Sequence, residues 1–136
     1  MYNTKWASLE KLKSLLKAFK DSFSLEENKM DLKGFNFRGS NLDQQNLKAS
    51  LIDESNLSDC SLRGADFSYA SLRGCNLRFA NLENTNLTGA DLRGADLEFT
   101  KNWKTATFKK AKVDELTILP FDESLIDSFE IKKVGS

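Results

Sequence analysis

"CSLRGADFSYASLRGCNLRFANLENTNLTGADLRGADL", residues 60–97, decides the fold. A leucine or phenylalanine returns every fifth residue, as Leu62, Phe67, Leu72, Leu77, Leu82, Leu87, Leu92 and Leu97. Two places before each stands a residue no larger than threonine. A helix repeats its buried face about every 3.6 residues and a strand about every two, so this beat belongs to neither. So unbroken a repeat calls for an architecture other than a lone helix or strand.

Outward from that stretch, the beat runs back through Leu57, Ile52, Leu47, Leu42 and Phe37 to Leu32, fourteen centres without exception. Asn or Asp usually precedes the centre, as at Asn36, Asn56, Asn76 and Asp96, where a short acceptor can hold a turn. After Leu97 one extra residue enters near 98–102. The beat then resumes as Trp103, Phe108, Val113 and Ile118, with Ala106 and Ala111 in the small slot. A core absorbs one bulged residue without losing register, so the repeat domain is expected over 30–119.

Residues 1–29 carry a different pattern. Leu9, Leu12, Leu16, Phe19 and Phe23 alternate steps of three and four with lysines between, which predicts an amphipathic helix over about 4–23. In the tail, 120–136, Phe121, Leu125, Ile126 and Phe129 predict a short amphipathic helix. Covering the ends of the repeat domain is the expected task of both terminal segments.

Composition removes several function classes. Twenty Lys and Arg balance twenty Asp and Glu. This argues against direct nucleic-acid binding, which asks for a basic excess. There is no histidine, which removes the commonest general base and metal ligand, and Cys60 and Cys75 are too few for a zinc motif. No cofactor, metal or catalytic set is expected; the two cysteines read as buried thiols filling small slots. No apolar run approaches a membrane span and no signal peptide is evident, so a cytoplasmic setting is expected.

The run "GADFSYASLRGCNLRFANLENTNLTGADLRGADLEFT" resembles the pentapeptide-repeat family. The resemblance implies an all-β solenoid, a right-handed quadrilateral β-helix in which four units make one square coil. It further implies about 4 to 4.5 coils, a rod roughly 20 Å tall at the spacing of neighbouring strands. Some relatives dimerise through a terminal helix, so a homodimer stays open. The best-known relatives imitate a DNA duplex and protect or inhibit DNA gyrase and related topoisomerases.

For this chain two functional readings follow. Residues 30–100 hold ten acidic residues against seven basic, too slight an excess for a phosphate-like surface. Asp43, Arg63, Glu83 and Lys104 alternate in sign, whereas Lys33, Asp53, Arg73 and Arg93 form a column positive toward its C-terminal end. The leading expectation is a non-enzymatic module that binds a protein partner through the faces of the rod. Its candidate contacts are Tyr69, Arg73, Arg78, Phe79, Arg93, Glu98, Phe99 and Trp103, with Phe79 and Phe99 twenty apart on one face. The alternative is a DNA-mimic inhibitor or protector of gyrase, another topoisomerase or a defence nuclease.

Overall fold

A computed structural model describes Lys5, Trp6, Ser14 and residues 30–135. Parallel pairing at a spacing of twenty builds the stack: Asn36, Asn56, Asn76 and Asp96 follow one another on one side, and Asn46, Asp66 and Asn86 on another. Each centre donates its N–H to the coil that follows, as Leu57 to the Asn76 carbonyl at 2.7 Å. The residue before the centre donates to the coil that precedes, as Asn76 to the Ser55 carbonyl at 3.1 Å. Four units therefore make one coil. Numbered from the Leu32 unit, side one carries Leu32, Ile52, Leu72 and Leu92, side two Phe37, Leu57, Leu77 and Leu97, side three Leu42, Leu62 and Leu82, and side four Leu47, Phe67 and Leu87.

The core is the column of these centres, each at most 2% exposed from Leu32 to Leu97. Burying one such side chain contributes roughly 1.5–3 kcal/mol before ordering costs. From Ser50 to Ala95 the small slot is dry as well, and several of its hydroxyls and thiols have a fixed use. Ser55 Oγ donates to the Leu32 carbonyl at 2.7 Å, Thr85 Oγ1 to Leu62 at 2.7 Å, and Cys60 and Cys75 Sγ to Phe37 and Ile52 at 3.0 Å. Both cysteines are free and buried. Burial pushes the Cys60 thiol up to about 12, and drives Cys75 upward as well.

Corners are β-turns closed by bonds such as Ala80 N–H to the Leu77 carbonyl at 3.0 Å. The residue two places after the centre takes the left-handed conformation, whether it is Gly74 (φ 67°) or Phe79 (φ 62°). The preceding Asn or Asp holds each corner by accepting from the N–H two residues on, as Asn76 from Arg78 at 3.0 Å and Asp66 from Ser68 at 2.9 Å. Where serine replaces that acceptor, the previous coil supplies it. Asp43 accepts from the Ser61 hydroxyl and the Arg63 N–H, and Asp53 from the Ser71 hydroxyl and the Arg73 N–H.

The termini differ from the sequence reading. Lys5–Trp6 (β1) is a strand, paired in parallel with Phe35–Asn36 (β2), where the first turn of the predicted helix was expected. The open backbone groups at the edge of the first coil favour a strand there. Ser14 is helical; the rest of the helix predicted over 4–23 lies outside the described residues.

Beyond Lys101 the register slips twice. The first extra residue enters between Lys101 and Thr107, at a 3-10 turn over Trp103–Thr105, so that Asn86 pairs with Thr107 and Asp91 with Lys112. A second enters before Ile118, which pairs with Asp96. Ile118 therefore stands at the outward position before a centre and is 44% exposed, while Leu119 follows the Leu97 column and packs on the core. The expectation that Ile118 is a core centre is corrected by this second slip. Thr117 takes the small slot of that unit and donates to the Leu92 carbonyl at 2.9 Å.

The tail is not the amphipathic helix expected from its apolar spacing. It makes a short 3-10 turn over Glu123–Leu125 and then adds a strand, Lys132–Lys133 (β4), in parallel register with Lys112–Val113 (β3). Backbone groups of the last coil are again better satisfied by a strand than by a helix lying across them. Phe121 and Phe129 stack at 4.9 Å and close the end against Trp103 and Phe108. Among the described residues no helix is long and apolar enough to cross a membrane.

Candidate functional site

The corner between sides two and three carries the first candidate. Leu77 and Leu97 anchor two successive coils, Asn76 and Asp96 fix the turns, and the left-handed position of each turn holds a phenylalanine. Phe79 and Phe99 consequently project outward one above the other, their ring centroids 5.2 Å apart and nearly parallel. They stay 42% and 55% exposed, so no terminal segment among the described residues covers the stack. Aromatic residues are uncommon at positive φ, where glycine or asparagine sits at less cost.

Arg78 completes this corner. Its guanidinium lies 5.1 Å from the Phe99 ring centre and 5.8 Å from that of Phe79. The same group donates to Asp96 at 3.1 Å and to Glu98 at 2.5 Å. The bond to Asp96, then that to Glu98, raises its pKa above the ordinary arginine value. The carboxylates hold the cation beside the rings, a combination of aromatic and arginine surface that protein interfaces favour.

The other sequence candidates lie elsewhere. Tyr69 sits ten residues from Phe79, half a coil away, and so at the opposite corner; it is 57% exposed and its ring lies against Gly89, where an added Cβ would come within 2.5 Å of it. Trp103 belongs to the aromatic plug with Phe121 and Phe129, and its own slip turned it toward the end of the rod. Arg93 is held by Asp91 in a two-point pair, Nε to Oδ1 at 2.9 Å and Nη2 to Oδ2 at 2.6 Å. Arg73 is exposed and makes no side-chain bond among the described residues. In the alternating column Arg63 pairs with Glu83 at 3.0 Å, while Lys104 lies over Trp103 instead of continuing the ladder.

The exposure of two apolar residues escaped the sequence reading. Ile118 follows Asp96 on side two, beside the Phe99 corner, and Leu116, 70% exposed, sits at the corner between sides one and two. The second slip puts both outside, and no spacing in the sequence marks it. Among the described residues no group of His, Cys, Asp and Glu could hold a metal ion.

Comparison with known proteins agrees with this architecture. A family model described as pentapeptide repeats matches residues 46–78 and 70–101, in eight copies. A pentapeptide repeat protein from the cyanobacterium Cyanothece 51142, Rfr23, is 34% identical over 65% of this chain, with a TM-score of 0.63; the match spans 59% of the length of that protein. A pentapeptide repeat protein of the Arabidopsis thaliana thylakoid lumen is 27% identical over 73% of this chain and 70% of its own, with a TM-score of 0.56. One from Nostoc PCC 7120 shares the fold at 23% identity, over 90% of this chain and 95% of its own, with a TM-score of 0.58. No curated protein sequence matches the chain. With their twenty-residue coils, their leucine column and these matches, residues 46–101 carry the pentapeptide repeats that the family model describes.

Proposed function

We propose that this protein is a non-enzymatic binding module that engages a protein partner through the outer faces of its rod, with the Phe79 and Phe99 stack as the principal contact. One observation carries the reading. Two aromatic side chains occupy a backbone conformation that disfavours them, remain exposed, and are braced by a cation that two carboxylates hold in place. Every corner of the repeat takes that conformation, so it is the exposed apolar stack that marks this corner as a contact surface.

Imitation of a DNA duplex finds less support. The carboxylates that would form phosphate-like rows are engaged in turn bonds, as at Asp66, or in ion pairs, as at Glu83 and Asp91. A cytoplasmic setting belongs to the same proposal.

The test is F79S combined with F99S. Proteins captured from the native cell by the unaltered chain are identified, and their recovery on the double variant is quantified beside its melting curve. Loss of the main captured protein by about tenfold or more, with the fold intact, is expected for a central aromatic anchor. Undiminished recovery would exclude this corner as the contact.

A further inference from the structure

We infer that the partner meeting the Phe79 and Phe99 stack is a second copy of this chain, packed antiparallel about a twofold axis that lies along side two, midway between the two rings. This rests on the reading of the stack as a protein contact.

The stack stands off the surface for a reason built into its column. At other corners the left-handed residue of one coil lies over a glycine of the next, so that an added Cβ would run into Glu54 at Gly74 and into Tyr69 at Gly89. Above Phe79 the next coil offers Phe99 in place of glycine, and both rings are held outward. The charges around them balance. Arg38 pairs with Asp59 at 3.4 Å, and Arg78 with Asp96 and Glu98. Lys101, two residues beyond Phe99, offsets the remaining carboxylate. The corner therefore has no net charge that would prefer a strongly acidic or a strongly basic partner, and its apolar ridge is what a partner must cover.

A copy turned end for end matches this corner row by row. Asn76 and Asp96 are paired in register one coil apart, and Arg78 with Glu98 and Phe79 with Phe99 follow them on the same two coils. A twofold axis between those coils exchanges the two heights while each column keeps its place. Phe79 then meets Phe99 of the second copy, Arg78 meets its Glu98, and the Asn76 amide meets its Asp96. Every pair is complementary and occurs twice, as a self-complementary contact requires. Parallel rods laid on the same columns would instead set Arg78 against Arg78 and Glu98 against Glu98, an arrangement that like charges oppose. One coil further out, exposed Ile118 comes over Asn56 of the other copy, and β1 on Phe35–Asn36 stays outside the contact. The overlap is four coils, about 15 Å at the strand spacing, which places the dimer among small, reversible interfaces.

The experiment is sedimentation of the full chain at about 5 to 500 µM in about 0.15 M salt, the range in which a small interface fills. The unaltered protein should pass from monomer to dimer, and F79S/F99S should stay monomeric. R78E and E98R each place like charges at both symmetric contacts, so each should raise the midpoint concentration by about tenfold or more. An equimolar mixture of R78E and E98R should associate again, because each copy then brings the sign that the other needs at both contacts. Melting curves of the single variants show that they are folded, and recovery on mixing cannot come from a change confined to one chain. A chain that stays monomeric throughout, a dimer that the single variants leave unchanged, or a mixture that does not associate would each overturn the inference. If the chain is monomeric while F79S/F99S loses a different captured protein, only this inference fails. If F79S/F99S changes neither self-association nor capture, the aromatic contact fails with it.

Discussion

Thr85 and Thr100 occupy the same small slot in different units, yet the same substitution is expected to act on them with opposite sign. Thr85 is fully buried and its hydroxyl donates to the Leu62 carbonyl at 2.7 Å. That carbonyl also accepts the Ala65 N–H at 3.0 Å, so Thr85→Val removes a bond without leaving an orphaned acceptor. The loss should be about 1 kcal/mol, the net value of one such bond. Thr100 is 7% exposed and its Oγ1 has no partner, the one such buried side-chain atom among the described residues. It stands just before the first slip, where the regular coil ends. Thr100→Val removes a desolvated, unpaired hydroxyl and should stabilise by about 1 kcal/mol. The two variants should then differ by about 2 kcal/mol. At roughly 3–6 °C per kcal/mol for a domain of this size, that is about 6–12 °C in melting midpoint. Circular dichroism melts of both variants beside the unaltered protein decide it, compared as midpoints because repeat arrays need not unfold in one step. Equal shifts, or a Thr100→Val variant less stable than Thr85→Val, would refute the argument that the partnered hydroxyl is what this slot rewards.

Three further outcomes follow from the same geometry. Asp53→Ala should destabilise by about 1 kcal/mol, as losing a cap does, and adding Ser71→Asn should recover most of it by restoring the acceptor within its own turn; urea midpoints of single and double variants measure this. Cys60 and Cys75 should resist a thiol reagent near neutral pH while the protein is folded, since burial raises both thiols, and react fully once it is unfolded; fast labelling of the native protein would contradict their placement. Burial pushes the Asp91 carboxyl up, but the side-chain bond from Arg93, its backbone N–H and its charge outweigh this and hold the group below its ordinary 3.8. Its contribution to stability is therefore complete above about pH 4 and is lost as pH falls below 3.8 through the lowered value, so Asp91→Asn should flatten the acid limb of the stability curve.

The regular half of the molecule was legible in the sequence because one residue type answers one geometric demand. Leu62, Leu77 and Leu92 are interchangeable sides of a square, each needing a large apolar centre, a small neighbour and an acceptor at the turn. The exposed stack of Phe79 and Phe99 was legible for the same reason, since residues twenty apart in an unbroken period must lie on successive coils. The sequence marked the first break, after Leu97, but not the second. That second insertion, before Ile118, leaves no change of spacing to read, so Ile118 was taken for a core residue.

The sequence by itself determined the coil, its register and the column of buried leucines through residue 97, because local spacing and side-chain size are enough to specify them. Only the tertiary structure decided the ends and the charges. Whether a tail of Phe121, Ile126 and Phe129 becomes a helix or another strand depends on which backbone groups the last coil leaves unpaired. Whether Arg93 is free for a partner depends on whether its guanidinium turns back onto Asp91, and it does so at two points, a side-chain placement that only the structure records.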